Sequence, residues 1–469
     1  MTRRYNLFSL FSNAGGLDIG FSLSRNYNLL FANDVLQHPA ETYTSNYEHK
    51  IIILGDCQLS KVKLPAYLVG DIAKVDFKEI KCLDIDVIVG GPPCQDFSKL
   101  RGTEEERKGV SVQRGKMYSH FIRAMIHLKP KVFVFENVPG LKNANRGEAY
   151  KAVLEDFSKL SVRWKEIKKI VGNGYKANSL NYKLIFSGSV NSADFGVPQN
   201  RRRIIIIGIR EDLFGDDRLT TRSIIDYAYG ALLGKNSPFK KYPLTPIEAF
   251  EGRVLPELDQ IYKDVMKEYT GLEKDVKTAR AREWAKEWGQ MSFDAICDYK
   301  KLNSAAGTEE EFEEAIKAHK EILKKLGYLN RPVEAVEFSD GTQADSLETP
   351  SVRERMKHIP PNENHIFVKD SEWHVEGKNM SLIYRRLHPL KPSYTIVAKG
   401  GGGTFGYHYR RDRGKLTNRE RARIQTFPDW FEFIGKITQM RLQIGEAVPP
   451  LLGKKIAEVA TYILEEADD

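Results

Sequence analysis

Short apolar runs alternate with segments of helical periodicity along the first 210 residues of the chain. Runs such as Asp-Val-Ile-Val at 86–89 are short, bounded by turn residues and rich in β-branched side chains, which is typical of buried strands. The amphipathic segment 119–128 has the period of a helix. This alternation predicts an α/β fold with a doubly wound, mostly parallel sheet. The predicted strands are residues 6–11, 28–31, 86–89, 131–135, 182–187 and 202–209.

The pattern changes after residue 212. Residues 213–250 have no regular period, whereas 255–330 are highly charged with helical spacing. Thr308 and Glu311 form a capping box that begins one helix, and Gly327 ends it. A final amphipathic helix is predicted at 452–466. The boundaries therefore predict a domain over 1–212, a smaller domain over 213–436 with a helical insert at about 255–330, and a C-terminal segment, 437–469, that returns to the first domain.

Composition narrows the class of protein. The 469 residues are 41% hydrophobic and 29% charged, as in ordinary globular proteins. No apolar run approaches the ~20 residues that cross a bilayer, and no secretory signal is visible, so we expect a cytoplasmic protein without a membrane partner. The net charge of +9 favours a polyanionic partner, with nucleic acid ahead of a membrane surface. The basic side chains between Arg410 and Arg423 are the predicted contacts to that partner.

One of the four cysteines stands in an unusual place. The cysteines have no CxxC spacing and no paired histidines, so neither a metal site nor a disulfide framework is predicted. Cys57, Cys82 and Cys297 are expected to be buried thiols. Cys94 instead follows the turn Gly-Gly-Pro-Pro at 90–93, directly after a predicted strand. Such a turn places a side chain at the carboxyl end of the sheet, where α/β folds bind ligands, so Cys94 is a candidate nucleophile.

Three other strand ends carry polar residues or glycines suited to an adenosine-containing cofactor. The first strand runs into the glycine-rich turn at 11–21, which is not GxGxxG and so disfavours a nicotinamide-dependent oxidoreductase. Asp34 ends the second strand, where α/β nucleoside sites hold ribose hydroxyls. Asp71 follows a possible further strand and is suited to accept from an adenine amino group. Each aspartate taken alone is better explained as a helix cap or a surface charge.

Two further strand ends supply candidate catalytic groups. Glu136 ends the strand at 131–135 and is a possible general acid, or else only a capped strand end. Arg201 and Arg203 enter the last strand and, by the alternation of side chains, face the same way, while Arg202 faces opposite.

Taken in order, these motifs resemble the DNA cytosine-5 methyltransferases, of the bacterial restriction-modification type. The resemblance covers nearly the whole chain except about 213–380, and rests on segments 11–21, 90–98, 136–138, 199–203, 419–429 and 445–450. It implies that Cys94 attacks C6 of cytosine, that Glu136 binds N3 and the exocyclic amine, that Arg203 contacts O2, and that Arg201 supports the loop. It also implies S-adenosyl-L-methionine as cofactor. The implied cofactor-binding residues are Phe11, Ala14, Gly15, Gly16, Asp34, Val35, Asp71, Ile72, Pro93, Ala447 and Val448.

The resemblance further implies a monomer that acts on double-stranded DNA, with the target cytosine flipped out of the duplex. The domain at 1–212 is then the catalytic and cofactor-binding domain, and that at 213–436 recognises the target sequence. Residues after Cys94, through about Met117, resemble the mobile loop that closes over the DNA. A cognate restriction endonuclease is compatible with this function, but need not bind the chain.

The chain departs from the family pattern at three positions: Asn13 replaces a usual glycine, Glu446 replaces a common asparagine, and Tyr409 follows His408 where proline is frequent. Two alternative functions remain. The tRNA-methylating branch of this fold normally lacks so long a recognition region and carries a Cys-Phe-Thr motif, which is absent here. A non-catalytic DNA-binding homologue would be expected to lose Cys94, Glu136 or the arginine pair, all of which are present.

Overall fold

A computed structural model describes residues 3–56, 58–80, 83–93, 116–160, 181–213, 218–305, 307–345, 348–376, 383–398 and 406–468. Within these ranges, no helix combines the length and the apolar character that a membrane span requires.

Eight strands form one mixed sheet in the order β3-β4-β2-β1-β5-β6-β8-β7. Every neighbouring pair is parallel except the two that involve β8, which runs antiparallel to both β6 and β7. The mostly parallel sheet predicted from the sequence is confirmed. The strands are β1 Tyr5–Leu10, β2 Tyr27–Asp34, β3 Lys50–Ile53, β4 Ala66–Val69, β5 Val87–Gly90, β6 Val132–Asn137, β7 Tyr182–Asn191 and β8 Arg202–Arg210.

Register brings the carboxyl ends of the central strands to one edge of the sheet. Leu10 at the end of β1 pairs with Gly90 of β5, and Gly90 pairs in turn with Phe135 of β6. Glu136, one residue further along β6, lies opposite Ile205 of β8. The turns that follow β1 and β5 and the end of β6 are therefore neighbours.

The α-helices are α1 Gly16–Ser24, α2 Gln37–Asn46, α3 Lys116–Leu128, α4 Gly140–Asn143, α5 Glu148–Lys159, α6 Arg218–Leu232, α7 Pro238–Lys241, α8 Pro246–Glu251, α9 Asp259–Glu268, α10 Leu272–Val276, α11 Ala279–Gly289, α12 Ala295–Leu302, α13 Glu309–Lys325, α14 Pro350–Met356, α15 Asn418–Ile424, α16 Ile437–Glu446 and α17 Pro450–Asp468. Short 3-10 helices lie at Leu59–Lys61, Ile72–Lys74, Ala144–Gly147, Ser192–Phe195, Glu211–Leu213, Leu255–Glu257 and His365–Val368.

The chain forms two compact units: Met1–Asn191 with Arg202–Asn236 and Pro450–Asp469, and Ser192–Arg201 with Ser237–Pro449. In the first unit, apolar side chains of the sheet and of α3 and α5 form the main core. Helix α17 packs on α1 so closely that a Cβ on Gly20 would overlap the backbone of Gly453. In the second unit, helices and loops enclose a core rich in tyrosine and tryptophan. This division describes the fold, and the functional boundaries at 212 and 437 stay a prediction.

One local expectation is confirmed and another is wrong. The Thr308–Glu311 capping box begins α13 as predicted, and Gly327, at a φ of 78°, follows its end. The region 213–250 was expected to be irregular, but it contains α6, a helix of 15 residues. The positions Ile224, Ala228 and Leu232 recur every four residues and are all buried, which stabilises this helix against the sheet-bearing unit.

Candidate active site

An ion pair joins two predicted catalytic side chains at the end of β6. Arg203 Nε lies 2.9 Å from Glu136 Oε1, and the two side chains are only 12% and 11% exposed. Glu136 and Arg203 come from adjacent antiparallel strands, so the sheet itself holds them together. Arg202, between Arg201 and Arg203, is exposed, as the strand alternation predicts. A nearly buried carboxylate beside a guanidinium offers an acceptor and donors to a planar polar ring.

The turn after β5 is built around this pair. A Cβ on Gly91 would collide with Glu136 Oε2, so any larger residue at this position must displace the carboxylate of Glu136. Asn137 Nδ2 donates to the Pro92 carbonyl oxygen at 3.2 Å and ties the turn to β6. Sequence reasoning assigned no role to Asn137, although its place directly after Glu136 at a strand end was a usable signal.

Pro93 is exposed and is the last described residue of that turn. Cys94 and the predicted mobile loop up to Gly115 lie outside the described residues, as do Cys57 and Cys82. The predicted role of Cys94 as the nucleophile therefore stays a prediction.

The turn after β1 has an unusual backbone. Phe11, Asn13 and Gly15 have φ values of 57°, 49° and 86°, all in the left-handed region. This explains why asparagine replaces glycine at position 13, since asparagine tolerates that region better than most residues. The turn is held by the Asp34 carboxylate, which accepts from Asn13 N at 3.1 Å, and by the Tyr67 hydroxyl, which donates to Asn13 O at 2.8 Å.

Asp34 and Val35 together could hold a nucleoside. The Asp34 carboxylate also accepts from Leu36 N at 3.1 Å, and burial raises its pKa, opposed by these backbone N–H groups. A carboxylate has about four acceptor positions, so capacity for a ribose hydroxyl remains. Val35 follows with 63% of its surface exposed, an apolar face beside an acid. This combination fits S-adenosylmethionine, whose adenosine carries both an apolar ring and hydroxyl groups.

Asp71 is the N-cap of a 3-10 helix, as the alternative interpretation of this residue held. Its Oδ1 accepts from Ala73 N at 2.9 Å, and the residue is exposed. Ile72 is buried, at 3% exposure, and belongs to the core. Capping leaves acceptor positions on the Asp71 carboxylate, so its predicted contact with the cofactor stays open. Ala14, in the turn after β1, is buried. Gly16, the first residue of α1, is buried as well.

Arg201 lies in the second unit and is 1% exposed. Its guanidinium donates to the carbonyl oxygens of Ile396 at 3.1 Å and Gly445 at 2.9 Å, which agrees with a supporting role. Ala447 is buried and Val448 half-buried just after α16. Glu446 is exposed at the end of that helix. The cofactor contacts assigned to Ala447 and Val448 stay predictions.

The interpretation of the basic segment as a nucleic-acid surface is wrong for three of its six arginines. Arg419, Arg421 and Arg423 are fully buried, because α15 lies inside the second unit. Arg423 makes a bidentate pair with Asp429, at 3.0 and 2.6 Å, and Arg419 Nη2 lies 2.5 Å from Asp340 Oδ2. Arg410, Arg411 and Arg413 are half-buried or exposed, but each pairs with a carboxylate of the same unit, Glu268, Asp275 and Glu334 respectively. The buried neighbour of these residues, Arg386, donates to backbone carbonyl oxygens.

Two smaller findings concern cysteine and possible metal ligands. Cys297 was expected to be buried but is exposed, with its thiol 3.3 Å from Asp294 Oδ2, which raises the pKa of the thiol. Glu334, His408 and Glu420 offer ligand atoms within 4.8 Å of one another. The guanidinium of Arg413 pairs with both carboxylates, so the positive charge that neutralises this cluster comes from an arginine side chain.

Comparison with known proteins agrees with this geometry. A family model described as C-5 cytosine-specific DNA methylase matches residues 5–461. The chain is 50% identical over 470 residues to the DNA (cytosine-5-)-methyltransferase M.ApeKI of Aeropyrum pernix, covering 98% of this chain and 99% of the relative. It is 31% identical over 459 residues to the type II methyltransferase M.NgoFVII of Neisseria gonorrhoeae, covering 98% and 86%. A crystal structure described as a prophage-encoded DNA modification methyltransferase of E. coli matches with a TM-score of 0.55 at 22% identity, over 98% of this chain and 99% of that one, which shows the shared fold.

The sheet order, the glycine-rich turn after β1 and the acids at successive strand ends define the fold class of S-adenosylmethionine-dependent methyltransferases. Within that class, the chain belongs to the C-5 cytosine-specific DNA methylases, whose members in general use S-adenosylmethionine. It is a DNA (cytosine-5)-methyltransferase whose relatives include methyltransferases of type II restriction-modification systems.

Proposed function

We propose that this chain transfers a methyl group from S-adenosylmethionine to C5 of a flipped-out cytosine within a specific sequence of double-stranded DNA. The observation that carries the proposal is the Glu136–Arg203 pair, 2.9 Å apart and nearly buried, beside the turn that leads into Cys94. Cytosine presents N3, O2 and an exocyclic amine along one edge, and a carboxylate beside a guanidinium is complementary to that edge.

The proposed chemistry starts from the low reactivity of C5 of cytosine. Cys94, as the thiolate, forms a bond to C6, and the electron pair moves towards C5. Glu136 binds N3 and the exocyclic amine, and favours protonation of N3 as negative charge develops on the ring. Arg203 binds O2. S-adenosylmethionine, when bound, would supply the methyl group to C5 and leave as S-adenosylhomocysteine. Loss of the C5 proton to water then restores the C5–C6 double bond, and the thiolate leaves. The turn after β1, Asp34, Val35 and Asp71 would hold the donor.

We propose that the region 213–436 selects the target sequence. Methylation of that sequence would protect the cell's DNA from a restriction endonuclease. The protein would act in the cytoplasm, where that DNA lies. The relatives named as type II methyltransferases support this role. Because the arginines of α15 are buried, the side chains that contact DNA must be other residues of the chain.

The decisive test measures transfer of labelled methyl groups from S-adenosylmethionine to duplex DNA, with tRNA as the competing substrate. We expect transfer to DNA, complete loss in Cys94→Ser, and retention in the matched control Cys297→Ser, whose thiol is exposed in the second unit. Duplex DNA that contains 5-fluorocytosine should trap a covalent adduct, because fluorine at C5 cannot leave as a proton. Transfer to tRNA alone would refute the proposed substrate, and an active Cys94→Ser variant would refute the proposed mechanism.

Bisulfite sequencing of DNA from cells that express the protein would identify the methylated sequence. A Glu136→Gln variant tests the site directly, since it keeps the shape of the side chain but not its charge. We expect it to methylate much more slowly even when assayed well below its unfolding temperature.

A further inference from the structure

A chain of buried hydrogen bonds leads from the turn after β1 to a carboxylate in α1. Asn33 N donates to Ser12 Oγ at 3.2 Å, and Ser12 Oγ donates to Ser9, whose carbonyl and hydroxyl oxygens both lie at 2.9 Å. Ser9 Oγ then donates to Asp18 Oδ1 at 2.6 Å. The last distance is typical of a hydroxyl that donates to an ionised carboxylate. Every bond in the chain donates towards Asp18.

The carboxylate lies in an apolar and aromatic environment. Asp18 is 0% exposed, and its Oδ2 is a buried atom without a hydrogen-bond partner among the described residues. The titratable groups that face it are Tyr43 of α2, Tyr47 directly after that helix, and Tyr67 of β4. The Tyr43 ring packs on Tyr47 and Tyr67, with centroids 4.7 and 4.9 Å away, and a Cβ on Gly15 would lie 2.7 Å from it. The cluster thus supports the turn from beneath.

An ionised carboxylate in this position is costly to the fold. Burial raises the pKa of Asp18 from 3.8 to about 6, partly offset by the hydrogen bond from Ser9 and by the nearby hydroxyl of Tyr43. The folded protein therefore binds this proton more tightly than the unfolded chain does. Stability falls as the pH rises from about 4 through about 6, and above that pH the ionised group lowers stability. A group that is retained at a cost to stability is a candidate for a functional role.

We propose that Asp18 is a positioning residue for the methyl donor, which through Ser9 and Ser12 holds the turn over Phe11–Gly15 in the shape that binds S-adenosylmethionine. The inference rests on the cofactor site of the proposed function. Asp18 acts through the serines, because Ser12 belongs to the turn while Asp18 lies beneath it. Its effect should therefore be on the affinity for the donor rather than on the rate at saturation.

The test measures the binding of S-adenosylmethionine to the purified full-length protein by calorimetry, without DNA. We expect Asp18→Asn and Ser9→Ala each to weaken binding by roughly tenfold, the size of one charge-assisted hydrogen bond. The double variant should bind no more weakly than either single variant, because both changes break the same chain. The matched control is Asp298→Asn, a buried carboxylate of the second unit, which should bind the donor normally.

Two further readouts separate positioning from a general structural role. Without ligand at pH 7.5, Asp18→Asn should unfold at the wild-type temperature or above it, because the neutral amide removes the buried charge. Wild-type affinity should fall below about pH 6, and the difference between wild type and Asp18→Asn should vanish there, which separates Asp18 from Asp34, whose pKa is also raised.

Unchanged affinity in Asp18→Asn would overturn the inference while leaving the proposed function intact, and so would additive losses in the double variant. A loss of affinity that only parallels a lower unfolding temperature would also overturn it. A wild-type protein that binds no S-adenosylmethionine would refute the proposed function itself, and the inference with it.

Discussion

Replacing Gly91 by alanine tests the catalytic site without touching a polar side chain. The new Cβ would occupy the position of Glu136 Oε2, while the φ angle of Gly91 is not in the left-handed region. The backbone therefore accepts alanine, and the carboxylate must move. Because Glu136 is only 11% exposed at its side chain, it has little free space to move into without losing Arg203.

The size of the effect follows from the hydrogen bond that the Glu136 carboxylate would make to the base in the transition state. A hydrogen bond between charged groups contributes about 1.5–3 kcal/mol. Losing that much stabilisation of the transition state slows methyl transfer by roughly 10- to 150-fold. We expect this loss in single-turnover transfer of labelled methyl groups to duplex DNA, with little change in the unfolding temperature. The matched control is Gly230→Ala in α6, where a Cβ meets no atom within 4 Å and alanine should stabilise the helix by about 0.5–1 kcal/mol.

A double-variant cycle of Gly91→Ala with Glu136→Ala tests whether the alanine acts through the carboxylate. If Gly91→Ala acts through the carboxylate, it should cost almost nothing in a Glu136→Ala background, because the obstructed group is gone. The same loss in both backgrounds would refute the argument, as would a Gly91→Ala enzyme that works within twofold of wild type.

Three other variants test the second unit and the donor turn. Asp429→Asn should lower the free energy of unfolding in urea by about 3–5 kcal/mol, because it leaves the Arg423 guanidinium buried without its carboxylate. The salt dependence of DNA binding should not change. A shallower salt dependence would show that Arg423 reaches DNA. His319 is fully buried, and although burial alone would lower its pKa, the charge of Glu248 at 2.8 Å raises it. The stabilisation from this pair should be complete below pH 6.5 and disappear as the pH rises through the raised pKa of His319. Urea titrations of His319→Gln should therefore lack this pH dependence of the free energy of unfolding. A wild-type protein without that pH dependence would contradict the pairing. Asn13→Ala should lower the free energy of unfolding by about 1–2 kcal/mol because of the φ of 49°, whereas Asn13→Gly should bind S-adenosylmethionine nearly as tightly as wild type. Weak binding by the glycine variant would assign the role to the amide side chain, which both variants lack.

Local patterns in the sequence were enough to predict most strands of the first unit and one helix of the second. Six of the eight strands, the parallel core of the sheet and the helix begun by Thr308 follow from periodicity and capping, which depend on neighbouring residues alone. Strand β3 was not predicted, since Lys50–Ile53 has only four residues and lies at an edge of the sheet. The helix α6 was missed because two exposed aromatic side chains, Tyr227 and Tyr229, stand between its buried positions and obscure the helical period.

The sequence by itself determined which chemical groups stand at the strand ends, and hence the family. Only the tertiary structure decided which of those groups meet: Glu136 pairs with Arg203 because β8 returns antiparallel beside β6, a contact between residues 67 positions apart whose register no local pattern encodes. The arginines of α15 show the opposite case. Their spacing suggested a surface that binds DNA, but burial depends on what packs around a helix, and Asp340 and Asp429 neutralise two of them inside the second unit. Charge can be counted along a chain, whereas its exposure is a property of the fold.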